Sequence, residues 1–182
     1  MSERTLHKLA RDLLRQLEEV FAGTECPQWD EVTPRSHTWE FEEFYNNGPP
    51  CDWRDLTQET LECKTDILCF LEPKGFLFFF PAFMSCSLRE YLNSGTEGCI
   101  WYCVRTLVRQ HEHLEEGRSF ELSEQATVLL SPKQKEVLRD FLVFAKQMYS
   151  NEELSDPPIF SNPELVDLIE GTLQDTRIYL NQ

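Results

Sequence analysis

The sequence is poor in glycine, and it lacks the motifs that mark common enzyme sites. Only seven of the 182 residues are glycine. There is no phosphate-binding loop, no dinucleotide-binding glycine fingerprint, no Gly-x-Ser-x-Gly nucleophile elbow and no His-Glu-x-x-His zinc helix. We therefore expect a protein that is not an enzyme and that carries no cofactor. An enzyme whose catalytic residues are dispersed along the sequence stays open as an alternative.

The sequence also lacks a long apolar run. No segment reaches the ~20 successive apolar residues that are needed to span a bilayer. Charged residues from Arg4 to Arg15 interrupt the region where a signal peptide would be apolar. Without an export signal, the seven scattered cysteines are expected to be reduced thiols rather than a disulfide framework. These features predict a cytoplasmic protein that does not bind membranes.

Positive charge is scarce. The chain has 17 Lys and Arg residues against 32 Asp and Glu residues, a net charge of −15. Residues 25–62 hold ten acids against Arg35 and Arg54, and residues 151–182 hold seven acids against Arg177. A field of this sign repels nucleic acids and attracts basic proteins. It predicts a basic protein partner and no direct binding of nucleic acid, although solubility alone would explain the same charge.

Phenylalanine is abundant in the middle of the chain and marks the core. Five of the 13 phenylalanines lie between Phe76 and Phe83, and burying each one stabilises the fold by roughly 1.5–3 kcal/mol. They recur at helical spacing among other apolar residues, which favours a buried helix. Pro81 cannot donate to the carbonyl of Leu77, so a kink or a break is expected there. The alternative is a buried strand over Phe76–Phe80 that ends at Pro81, which would make the fold α+β.

Helix signals elsewhere predict the fold class. Thr57 is a candidate N-cap, and Ser131 followed by Pro132 and Gln134 is typical of a helix start. A mostly α fold follows, a single compact domain of five or six helices over residues 1–182 with an irregular acidic arm. The predicted segments are an amphipathic helix over 5–22 with Leu6, Leu9, Leu13, Leu17, Val20 and Phe21 on its apolar face, an aromatic-rich arm over 24–56, a helical core over 57–150 and an acidic C-terminal helix within 151–182.

The acidic arm is the predicted binding surface, because it combines carboxylates with aromatic side chains. Aromatic side chains are enriched among the residues that carry most of the energy of protein interfaces, and long loops often carry binding residues. The candidate binding residues are Trp29, Asp30, Glu31, Trp39, Glu42, Glu43 and Tyr45.

A weaker candidate is a metal site. Cys99 and Cys103 would share one face of a helix, and His111 and His113 follow them. Structural zinc is usually held by tightly spaced Cys and His pairs, and this spacing is a loose fit. Packing of the two thiols in an apolar helix explains them equally well, so we predict no bound metal.

Two motifs resemble those of an uncharacterised family, a domain of unknown function found in small acidic bacterial proteins. Leu71-Glu72-Pro73-Lys74-Gly75-Phe76 leads into Phe78-Phe79-Phe80-Pro81-Ala82-Phe83-Met84, and Leu130-Ser131-Pro132-Lys133-Gln134 follows further on. Trp53 and Leu56 fit the lead-in to the first motif, and the resemblance extends from Trp53 to Met148. It implies a bacterial origin and a helical fold, and it implies no catalytic residue.

Together these features predict a non-enzymatic, intracellular, acidic module that binds a basic protein. In its most specific form this would be an inhibitor or an immunity-type protein that masks a toxin or nuclease, because complementary charge speeds association and selects the partner. An uncharacterised enzyme, or a protein that binds a metal or a small ligand, is the alternative.

Overall fold

In the computed structural model, the described residues are 3–32, 52–62, 64–69, 71–94, 99–112, 129–150 and 163–174, and they contain no β-strand. Six α-helices have their bounds in these ranges: α1 (Glu3–Val20), α2 (Gln58–Glu62), α3 (Pro73–Ser94), α4 (Ile100–Glu112), α5 (Pro132–Tyr149) and α6 (Pro163–Gln174). Three short 3₁₀ helices accompany them: Trp29–Glu31, Trp53–Asp55 and Thr65–Cys69. The mostly α fold is confirmed.

Helix α3 is the central element of this fold. It packs against α1, α2 and α4 and against all three of the 3₁₀ helices. Every residue from Gly75 to Leu88 is buried except Leu77, which is half-buried. The rings of Phe76 and Phe80 stack with their centroids 4.4 Å apart. A helix that is apolar on all sides must be surrounded by other elements, and the neighbours of α3 fulfil that requirement.

Helices α1, α5 and α6 complete the domain around α3. α1 packs against both α3 and α5, and α6 packs against α5 and α4. Tyr91 of α3 meets Phe144 of α5 edge to face, with centroids 5.2 Å apart. α1 begins and ends two residues earlier than predicted, and Gly23 follows it at a φ of +74°, a left-handed conformation that suits glycine. Leu9 is 38% exposed, so its assignment to the apolar face is wrong.

The alternative of a buried strand over Phe76–Phe80 is wrong, because α3 continues through this segment and through Pro81. The expected break at Pro81 does not occur either. Phe78, Phe79 and Phe80 are each 0% exposed. Burial on every side stabilises a helical conformation here in spite of the hydrogen bond that proline cannot donate.

The predicted helix starts are confirmed by their hydrogen bonds. The backbone N–H of Gln134 donates to Ser131 Oγ at 3.3 Å, and the backbone N–H of Ser131 donates to Gln134 Oε1 at 2.8 Å. This reciprocal pair is a capping box. At α2, the backbone N–H of Thr60 donates to Thr57 Oγ1 at 3.3 Å. Both caps satisfy donors that a helix N-terminus leaves unpaired.

No helix among the described residues is long and apolar enough to cross a membrane.

Candidate functional site

The described parts of the predicted arm, residues 24–32 and 52–56, both pack against α3. At the first part, the backbone N–H of Glu72 donates to the carbonyl of Val32 at 2.7 Å. The approach is close: a Cβ added to Gly75 would lie 2.5 Å from that carbonyl oxygen. Lys74 of α3 also pairs with Glu31, and this hydrogen bond holds the pKa of Glu31 below its usual value. The segment around Glu31 is therefore held against the N-terminus of α3.

The second part of the arm is anchored by Trp53. This side chain is 1% exposed, and its indole Nε1–H donates to the carbonyl of Phe21 at 2.9 Å. The partner lies just after α1, so one tryptophan joins the arm to both α1 and α3. A buried tryptophan contributes a large apolar area and needs a hydrogen-bond partner for its N–H. Trp53 is buried and its N–H has such a partner.

Of the seven predicted binding residues, three lie in the described part of the chain. Trp29, Asp30 and Glu31 form a 3₁₀ helix, in which Asp30 is exposed and Glu31 is partly buried. The other four, Trp39, Glu42, Glu43 and Tyr45, lie outside the described residues.

Exposed carboxylates lie on and beside these anchored segments, among them Asp30 on the first, Asp55 on the second and Glu59 in the adjoining helix α2. None of these three forms an ion pair with another described residue. We call these three the arm-end acids. The basic residues nearby are already paired: Arg54 with Asp52, Lys74 with Glu31 and Arg89 with Glu18. These cations therefore form their ion pairs with other carboxylates, and Arg54 acts on Asp55 only through a longer-range electrostatic interaction.

The cysteines of the weaker metal candidate face other partners. Cys103 is 0% exposed and its Sγ lies 3.7 Å from Ser87 Oγ of α3. The thiol of Cys99 hydrogen-bonds to Cys86, which raises the pKa of Cys99, and burial raises the pKa of Cys103. No cluster of three metal-ligating side chains occurs among the described residues. The side chain of His111 and all of His113 lie outside them.

A cleft of about 160 Å³ opens where the second part of the arm meets α3. Arg54 lines one side of it, Arg89 lines another, and Ala82, Ser85 and Cys86 of α3 contribute buried surface. The remaining lining residues are Trp53, Leu56, Gln58 and Leu61. None of the described residues that line this cleft is a carboxylate, which distinguishes them from the acidic residues nearby.

Acids next to the cleft position both arginines. Arg54 donates from Nε and Nη2 to the two carboxylate oxygens of Asp52, and this interaction lowers the pKa of Asp52 and raises the pKa of Arg54. Arg89 donates from Nε to Ser85 Oγ at 3.2 Å and from Nη2 to Glu18 Oε1 at 2.6 Å. The guanidinium of Arg54 also lies 6.0 Å from the centre of the Trp53 ring. In both arginines the Nη1 group makes no hydrogen bond to a described residue.

The sequence reasoning did not identify this cleft. Arg54 and Arg89 lie far apart in the sequence, and neither stands in a segment that is rich in positive charge. The sequence signal that could have indicated an ordered arginine here was Asp52. It lies directly before the helical turn of Arg54 and places a carboxylate within reach of that guanidinium.

The comparisons with known proteins place the chain in a family but assign it no activity. Neither the curated proteins nor the solved structures give a significant match. One family model matches residues 10–157, which includes the second half of α1 and the two motifs around Pro81 and Pro132. The match is wider than the resemblance found in the sequence, which began at Trp53. The chain therefore belongs to a family of unknown function (DUF6714).

Proposed function

We propose that the protein is a non-enzymatic binding module that engages a basic protein through its arm-end acids. The observation that carries this proposal is the contrast in pairing around the arm. Arg54, Lys74 and Arg89, the cations beside the arm, are each held by a neighbouring carboxylate, whereas Asp30, Asp55 and Glu59 are exposed and form no ion pair with a described residue. A partner that supplied lysine or arginine side chains would neutralise them.

The anchoring of the arm supports the same proposal. A binding surface that is already ordered loses less conformational entropy on association than a flexible one. Val32 is held by the backbone of Glu72, and Trp53 by the carbonyl of Phe21. These contacts fix the backbone around Asp30 and Asp55, and Glu59 lies in α2, which packs against α3.

The net charge of −15 adds a long-range contribution. Charge of one sign over a whole surface increases the rate of encounter with an oppositely charged protein, and the effect falls steeply with salt. An inhibitor or immunity-type protein that masks a basic toxin or nuclease is the most specific form of this proposal, because such proteins depend on fast and selective association.

Affinity capture from a lysate of the source organism tests the proposal. Immobilised protein should retain a basic protein in stoichiometric amount at low salt and release it at high salt. The arm-end variant, Asp30→Asn/Asp55→Asn/Glu59→Gln, should retain much less of it.

A matched control variant removes the same amount of charge elsewhere. Glu136 of α5 and Glu164 and Asp167 of α6 are also exposed, so Glu136→Gln/Glu164→Gln/Asp167→Asn removes the same number of negative charges. It should retain the partner as the unchanged protein does. Capture of no basic protein at low salt would overturn the proposal, and so would equal loss with both variants.

A further inference from the structure

Beyond the proposed function, and independently of it, we propose that the cleft between the arm and α3 binds a small carboxylate through Arg54 and Arg89. The two guanidinium groups come from different elements and line one cleft, in which no other described lining residue is charged. Guanidinium groups are suited to carboxylates because their planar arrangement of donors matches two carboxylate oxygens.

The donors needed for such a ligand remain available. Each arginine uses Nε and Nη2 on neighbouring groups, and each Nη1 has no hydrogen bond to a described residue. The bonds to Asp52, Ser85 and Glu18 restrict the rotamers of both side chains before any ligand arrives. A site whose donors are already oriented loses less entropy on binding than a site of free side chains.

The size and lining of the cleft set the class of ligand. Its volume is about 160 Å³, and an engineered cavity of roughly 150 Å³ is known to hold benzene. Leu56, Leu61 and Ala82 supply apolar surface beside the arginines. The ligand is therefore a monocarboxylate with an apolar part about as large as one aromatic ring.

The electrostatic field of the whole protein favours a ligand with one negative charge over a ligand with two. Asp52 and Glu18 already offset the charges of Arg54 and Arg89, and the net charge of −15 repels anions in proportion to their charge. A monoanion that gains hydrogen bonds from two Nη1 groups and buries apolar surface meets less repulsion than a phosphate dianion does.

Calorimetric titration with benzoate tests this proposal. We expect saturable binding with one site and a dissociation constant on the order of millimolar, the range for a ligand of so few atoms. Benzamide has nearly the same shape without the charge and should bind at least tenfold more weakly. This comparison uses the unchanged protein, so it stays informative if an arginine variant fails to fold.

Two single variants assign the binding to the cleft. Arg54→Gln and Arg89→Gln should each weaken benzoate binding at least tenfold. Arg15→Gln is the control, since Arg15 is an exposed arginine of α1 that also pairs with an acid, Asp12, and lies outside the cleft. It should change the affinity by less than twofold.

A second titration, with a peptide, distinguishes between two sources of the carboxylate. Acetyl-diglycine carries a free C-terminal carboxylate like that of a protein chain, and its amide serves as the neutral control. Tighter binding of benzoate would identify a free small acid as the ligand. Tighter binding of the peptide would identify a chain terminus as the source of the carboxylate and would contradict the assignment of an apolar part to the ligand. Failure of both acids to saturate, or equal binding of acids and amides, would overturn the proposal.

Discussion

Helix α3 and the acidic segment of residues 52–62 pack against each other, yet α3 is almost entirely buried whereas the acidic segment exposes charged side chains. In α3, every residue from Gly75 to Leu88 except Leu77 is buried, and the side chains are held by close packing. In the acidic segment, Asp55 and Glu59 are exposed and form no ion pair with described residues. Since stability comes mainly from buried apolar area, α3 is expected to determine folding. The exposed carboxylates remain available for a partner.

Truncation of a core phenylalanine should give the largest loss of stability. Phe79 is 0% exposed at the centre of α3, so Phe79→Ala removes a buried ring and leaves a cavity. We expect a loss of about 3–5 kcal/mol in the free energy of unfolding, measured by denaturant titration. A loss below about 1 kcal/mol would show that α3 is not the centre of the core.

Alkaline pH should weaken the interface between α3 and α4. Folding raises the pKa of the Cys99 and Cys103 thiols, so both stay protonated in the folded protein when they ionise in the unfolded chain. The folded state then binds more protons, and stability falls as pH rises above the unfolded thiol pKa of about 8.5. Between about pH 7.5 and 9.5 the loss should be about 1–1.5 kcal/mol per thiol.

The control for this pH dependence is Cys103→Ala, which removes one of the two groups. Denaturant titrations at both pH values should show a smaller loss in the free energy of unfolding for this variant. The difference should be about 1–1.5 kcal/mol, the contribution of one thiol. A pH dependence that is unchanged in the variant would contradict the assignment.

A methyl group at Gly75 should destabilise the contact between the arm and α3. The added Cβ would lie 2.5 Å from the carbonyl oxygen of Val32 and 3.0 Å from its Cα. Because the obstacle is backbone, the segment must move, and Gly75→Ala should cost about 1–3 kcal/mol. Gly171→Ala is the matched control: it lies in α6 with no atom within 4 Å of its added Cβ.

In the control, alanine replaces glycine inside an exposed helix, so we expect a gain of about 0.5–1 kcal/mol. Thermal unfolding of both variants gives the comparison. Equal effects at the two positions would mean that Val32 is not held against α3.

Removal of exposed acids should have the smallest effect on stability. Each substitution of the arm-end variant (Asp30→Asn, Asp55→Asn and Glu59→Gln) falls at an exposed site and should change the free energy of unfolding by about 0.5 kcal/mol or less. Denaturant titration measures this directly. A loss as large as that of Phe79→Ala would show that these acids are structural.

The sequence predicted the elements that depend on local patterns. The period of the phenylalanines identified α3, and the spacing of Ser131, Pro132 and Gln134 identified the start of α5. Contacts between distant residues were not predictable in this way. The hydrogen bond from Trp53 to Phe21 spans 32 positions and the pair of Arg89 with Glu18 spans 71, and the cleft exists only because such contacts form.

Of the kink or break expected at Pro81, the break does not occur, for a related reason. Proline lowers helix propensity locally, but the burial of Phe79, Phe80 and Phe83 stabilises the helix on both sides of it. Propensity is a weak guide where tertiary packing is dense.

The central claim is that the arm-end acids form an interface rather than only a solubilising surface. The most direct test is the dissociation constant of the captured basic protein with the arm-end variant and with the matched control variant of α5 and α6. Three lost contacts of roughly 0.2–1 kcal/mol each should weaken binding about tenfold, since 1.4 kcal/mol corresponds to a factor of ten. The control variant should bind within twofold of the unchanged protein. Equal dissociation constants for the two variants would contradict the claim.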